Sequence, residues 1–303
     1  MKKAYLLIVA AAVCWGAIPV FYSGLSAEGL TSMQTITMRF ALAAVGYVVY
    51  LAVRDPAALR IKRPRHLLYF IGTGVCSLAF FNFCYITCIK YAGVAVAALL
   101  LYTAPVFVMV LSAVLFHEKL SARSVTALAL TVLGCVFVAG VFTAGGVRLT
   151  PVALLWGLGS GFGYALYSIF GKFALVHYKP ETITAYTAVF AALATIPLSQ
   201  PVRLLGLCRS PAVLRNALGC ALVCTVVAYL LYTAGLAKVP AGQAAILSTA
   251  EPVVATVLGV TLLHEAVSWD KLCGILLVLS AIVLLNLPAK LKKNKMESAG
   301  DSL

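Results

Sequence analysis

Ala97–Ser121 and Ala244–Ser268 are two copies of one stretch, 147 positions apart. Each copy is apolar and carries one proline near its middle, Pro105 or Pro252. Each ends in His-Glu, His117-Glu118 or His264-Glu265, with Ser121 or Ser268 shortly after. Residues 91–121 match 238–268 at 11 of 31 positions without a gap. Matches among Leu, Val and Ala carry little weight in apolar sequence. The coincidence of Pro, His, Glu and Ser in one register carries the inference that the chain is a duplicated unit.

The composition says where such a unit folds. Of 303 residues, 63% are hydrophobic and 11% charged, and the mean hydropathy is +1.03. A soluble domain carries about 25% charged residues, and one of this length has too little interior for so much apolar surface. The expected class is an all-α polytopic membrane protein. The net charge of +14 does not point to nucleic acid, because the basic residues are divided among loops between apolar segments and form no basic, aromatic-studded face. Nine cysteines are present and no CxxC. Cys84/Cys88 and Cys220/Cys224 are spaced as helical neighbours and read as small packing residues, so no metal is expected.

Ten spans can each cross roughly 30 Å of hydrocarbon. They are Tyr5–Tyr22, Gln34–Ala52, Leu67–Ile89, Val94–Phe116, Val125–Phe142, Val152–Val176, Thr182–Leu198, Ala217–Leu236, Gln243–Leu263 and Leu272–Leu287. Met1-Lys2-Lys3 before the first span resembles a signal peptide, but no small-residue cleavage site follows, and an uncleaved helix is expected. With the N-terminus inside, 16 Lys and Arg fall on the inner side and 6 on the outer. Both termini are therefore expected in the cytoplasm of a cell-membrane protein. The units are residues 1–146, residues 147–288 and a basic tail, 289–303. Five is odd, so the second unit enters the bilayer from the opposite face. That is an inverted repeat around a central cavity, an architecture that transporters use.

Two five-helix units with mid-helix prolines and terminal His-Glu, together with Trp15-Gly16, Arg39 and Glu251-Pro252, resemble the EamA-type transporters of the drug/metabolite transporter superfamily. The resemblance covers about residues 5–288. It implies ten helices around a cavity and transport of small metabolites, more often export. One departure is that the pattern often has Gly before the terminal Glu, where both copies here have His.

The candidate site residues are those that are costly in an apolar span. Glu251 is the one carboxylate deep in a span, where a charge costs about 2.5–3.5 kcal/mol. It reads either as a proton-coupling or substrate-amine site, or as a structural hydrogen-bond partner of Tyr229, Tyr232 or Arg39. Arg39 reads as a partner for an anionic group, or as a side chain that snorkels outward. Trp15, Asn82, Tyr85, Tyr102, Tyr164, Tyr167, Tyr229 and Tyr232 offer apolar walls with polar tips, or plain packing. Pro105 and Pro252 free the carbonyls of Leu101 and Ser248, which reads either as kinks lining a wet central site, with Ser248 a further candidate, or as simple kinks for packing. Gly157, Gly159, Gly161 and Gly163 read as close helix packing.

No nucleophile–base set is present: the His-Glu pairs are not HExxH, and no G-x-S-x-G occurs. The expectation is a secondary transporter of a small polar metabolite, an amino acid or a related compound, working by alternating access without a cofactor. Its partners are the substrate, the lipid bilayer and, if coupled, protons. The alternative is a non-transporting membrane protein, an intramembrane enzyme or a scaffold.

Overall fold

The structure is a computed structural model that describes residues 2–139, 150–262 and 268–286. Every regular element among the described residues is helical, as expected of a backbone with no water to bond inside a bilayer. Eight stretches are long and apolar enough to span: Lys2–Ala27, Ser32–Arg54, Pro64–Leu101, Pro151–Leu175, Pro180–Leu198, Pro211–Leu236, Ala241–Leu262 and Trp269–Asn286. Ala104–Phe116 and Ala122–Val138 are shorter apolar helices. His264-Glu265, Arg148, the ends Phe142, Leu263 and Leu287 of three expected spans, and the tail 289–303 lie outside the described residues.

Local chemistry sets the helix starts. Thr31 and Gln34 form a reciprocal capping box at Ser32–Arg54, while Ser121, Thr150 and Ser210 each accept a backbone N–H of the helix they precede. Pro151, Pro180 and Pro211 open their helices, where a missing N–H costs nothing. The 38-residue run Pro64–Leu101 would be about 57 Å long if straight, far beyond one bilayer. It is folded at Gly93, whose φ of 82° and ψ of 171° only glycine adopts readily. Here the third expected span ends and the fourth begins.

Other boundaries differ from expectation. The first span continues past Tyr22 to Ala27, interrupted at Ala17 ahead of Pro19. The fourth is not one kinked helix, because Tyr102 and Thr103 separate Leu101 from Ala104. Pro105 opens the new helix, and the Thr103 hydroxyl bonds the Leu100 carbonyl at 2.6 Å. The ninth is divided likewise, at Thr249 between Ala241–Ser248 and Ala250–Leu262, with the Thr249 hydroxyl 2.5 Å from the Ile246 carbonyl. The prolines mark breaks because each lacks the N–H that would tie its turn to the preceding one.

Packing is reversed relative to a soluble protein. Ala4, Ala11, Ala127, Ala153 and Ala165 are buried, while Val114, Leu155 and Leu276 are 66%, 70% and 65% exposed. Small residues let helices approach where lipid removes the hydrophobic drive, and the outward Leu and Val face what would be acyl chains. A Cβ on Gly161 would collide with the Thr103 hydroxyl and lie 2.9 Å from the Leu100 carbonyl, so this glycine seats its helix against the first break. The sequence copies interlock: Lys2–Gly16 packs on Ala228–Leu236, Ser32–Arg54 on Pro180–Thr195, and Ala122–Val138 on Trp269–Asn286. The connection between Arg54 and Pro64 is anchored too. Its Ala58 and Leu59 carbonyls accept from Thr182 at 3.0 Å and Tyr186 at 2.6 Å.

Candidate functional site

A cavity of about 320 Å³ lies between helices of both copies. It runs from Tyr102 and Glu251 at the two breaks to Ser32, Ile89 and Val94, which stand at the end of the bundle that carries the first interhelical turns. The helix break places Glu251 here. As a first-turn residue of Ala250–Leu262, it projects at the discontinuity and escapes the flank of a continuous helix. Its Oε2 accepts a long hydrogen bond, 3.5 Å, from the Tyr164 hydroxyl. Tyr164, rather than Tyr229, Tyr232 or Arg39, is therefore the hydrogen-bond partner found.

Arg39 lines the same cavity. It does not snorkel: it is 4% exposed, its guanidinium stacks 4.9 Å from the Phe40 ring, and its Nε has no partner among the described residues. Tyr22 of the first helix lines the same wall. A buried cation and a half-buried carboxylate thus share one chamber without bonding each other directly, and each keeps hydrogen-bonding capacity for a guest.

Trp15 stands against Tyr229 and Tyr232, with ring centroids at 5.1 and 5.3 Å, and edge-on to Tyr164 at 6.4 Å. Its Nε1 has no partner among the described residues. Asn82 donates to the Leu78 carbonyl at 2.7 Å, which leaves its amide oxygen free to accept. Tyr85, Tyr102, Tyr164 and Tyr229 also line the cavity. The geometry separates Tyr167 and Tyr232 from this group. They border a small void below Trp15, with hydroxyls bonded to Thr233 and Ser168 at 2.7 Å each, so they form a floor. Ser248 borders another small void beside Glu251, and its hydroxyl bonds its own helix at Ala245, 2.8 Å away. Sequence reasoning passed over Tyr22, Phe81 and Ile36, which also line the chamber. Tyr22 reads as a bilayer-interface ring at the end of a span, and Phe81 and Ile36 carry no polar signal.

The third helix of each copy is π-helical in matching places, Gly72–Ala79 and Leu222–Val227. Each π segment lies just ahead of a tyrosine of the constellation, Tyr85 or Tyr229. π turns recur at functional sites because they re-aim side chains. The arrangement can hold a small zwitterionic or hydrogen-bonding guest between a carboxylate and a guanidinium, against rings.

Comparisons with known proteins give the family of the chain. A family model described as the EamA-like transporter family matches residues 2–140 and again 151–287. An uncharacterized transporter of Archaeoglobus fulgidus is 29% identical over 94% of this chain and 96% of its own length. The uncharacterized transporter YwfM of Bacillus subtilis is 27% identical over 95% of both chains. A probable amino-acid metabolite efflux pump of Salmonella typhimurium is 27% identical over 78% of this chain and 82% of its own. A solved structure shares the fold, with a TM-score of 0.79 at 20% identity over 94% of this chain and 97% of that one. With two family matches covering nearly all of a multi-pass helical membrane protein, this chain belongs to the EamA-like transporter family.

Proposed function

We propose that the protein is a secondary transporter that moves an amino acid or closely related metabolite across the cell membrane, in the export direction, by alternating access. The observation that carries this reading is that Glu251 and Arg39 face one aromatic-walled cavity while leaving bonding capacity free. Glu251 would take the substrate ammonium or a proton, and Arg39 would take the carboxylate. Trp15, Tyr22, Tyr102, Tyr164 and Tyr229 would enclose the carbon skeleton. The relative named as an amino-acid metabolite efflux pump supports the substrate class.

Residues 1–146 and 147–288 act in this reading as two inverted five-helix repeats, whose exchange of shapes turns the cavity from one face to the other. Support comes from the repeated breaks at Pro105 and Pro252 and the matching π segments. The charge split supports both termini being cytoplasmic, and in this reading the cavity faces outward.

Binding tests the site without transport. A ligand that fits raises the melting temperature of the purified protein, by about 2.7 kcal/mol of stabilisation at a hundred times Kd. Among free amino acids, their amides and the corresponding amines, only compounds with both charged groups should stabilise. Equal shifts with amides and amines would remove Arg39 from substrate recognition.

A further inference from the structure

We infer that Glu118 is the latch of the closed end: its carboxylate ties the two halves together opposite the cavity and must release for that end to open. The tie itself is a matter of geometry, while its release rests on the transport reading above. Glu118 Oε1 accepts from the backbone N–H of Ala241 at 2.8 Å and Oε2 from that of Gly242 at 3.3 Å, across 123 and 124 residues of sequence. The helix Ala241–Ser248 has no cap of its own, because Pro240 precedes it and bonds through no side chain. Its first amides have no acceptor within the helix, and a carboxylate there gains both charge-assisted bonds and the helix dipole. The acceptor comes from the other sequence copy. His117, in the left-handed conformation at φ 52°, turns the chain after Ala104–Phe116 so that Glu118 reaches across.

Two further bonds hold the same short stretch. Lys172 Nζ donates to the Val239 carbonyl and the Tyr5 hydroxyl to Gln243 Oε1, both at 2.6 Å. Glu118 stands roughly 20 Å beyond Pro105 along a helix rising 1.5 Å per residue, on the side away from Ser32 and Val94. Between break and latch, Ala104–Phe116 packs on Ala241–Ser248. On the other side of the breaks, Val94 and Leu101 share the cavity with Ala255. The same two broken helices are therefore shut at one end and parted at the other. Opening at the Glu118 end means separating Ala104–Phe116 from Ala241–Ser248, and the carboxylate spans that seam.

The test reads conformation and uses no substrate. In a chain whose nine cysteines are replaced by Ala or Ser, a single cysteine is introduced as Ser248→Cys or Ser32→Cys. A membrane-impermeant maleimide is then applied from each face in turn. Glu118→Ala should raise labelling of Ser248→Cys from the Glu118 face by about tenfold or more, since bonds to a charged group shift a two-state balance by at least that factor. Labelling of Ser32→Cys from the opposite face should fall. Glu118→Gln, which keeps one acceptor, should do less. Joining Glu118→Cys to Gly242→Cys with a short cleavable thiol cross-linker should hold Ser248→Cys protected and Ser32→Cys reactive, and cleavage should restore exchange between the two states. Unchanged labelling in Glu118→Ala, or a cross-linked protein that still opens at the Glu118 end, overturns the latch. Should Glu118→Ala not fold, Glu118→Gln decides by the same labelling, since it keeps the side-chain shape and one acceptor, and labelling equal to that of the parent overturns the latch. A labelling shift in a protein that transports nothing would sink the transport reading and leave the latch standing.

Discussion

At the scale of single residues, charged side chains set deep in apolar spans identify the site. Glu251 and Arg39 were legible in the sequence because a charge deep in an apolar span is rare and costly. If Glu251 carries the coupling proton, one pH unit supports about tenfold accumulation, the 1.4 kcal/mol of a single proton. Glu251→Gln should fold and exchange substrate, yet reach no accumulation under the same gradient. Accumulation equal to that of the parent would reduce Glu251 to a structural acceptor for Tyr164. Glu251→Ala should fail more broadly, since it removes the Tyr164 partner as well. His117 invites a second substitution. Its φ of 52° suits Gly or Asn and opposes a β-branched side chain. His117→Val should lower stability by about 1–3 kcal/mol, while His117→Gly should not; calorimetric melting separates the two. This also gives a physical reason for Gly at that place in the family pattern. Tyr22 and Tyr167 mark the limit of residue-level reading. A tyrosine declares a polar tip, but whether it lines a cavity or a floor depends on a rotation that apolar periodicity cannot fix when every face of the helix is apolar.

At the scale of elements, the two breaks organise everything else. The prolines predicted that something happens mid-span, but a full break rather than a kink follows from tertiary packing. Thr103 and Thr249 bond carbonyls three residues back, and Gly161 lets a neighbouring helix press on the first break. The turn at Gly93 was placed by the expected boundary between spans. The π segments were not legible, because their offset arises from how the helices sit against one another and leaves no mark in composition. Gly161→Val should force the Pro151–Leu175 helix away from Thr103, with a cost of about 1–3 kcal/mol as for other overpacked sites. Thermal unfolding measures it, and a Gly161→Val protein as stable as the parent would show that the contact is slack.

At the scale of the whole molecule, duplication was the most readable feature, since rare residues recur in one register. The interlocking of the two copies was less readable, because sequence order does not say which helices meet. Orientation rests on the 16-to-6 division of basic residues. A reporter fused after Leu303 and another inserted near Glu28 should report opposite sides of the membrane; agreement between them would break the assignment of the first two helices. The central claim, that the cavity carries an amino-acid-like solute through the membrane, is tested most directly by solute counterflow. Vesicles containing the purified protein are loaded with an amino-acid mixture, and the labelled species that enter are identified by mass spectrometry. The account predicts uptake of a compound bearing both an ammonium and a carboxylate, abolished in Arg39→Ala and in Glu251→Ala. Uptake no greater than in protein-free vesicles across the mixture, or uptake that both substitutions leave intact, would contradict it.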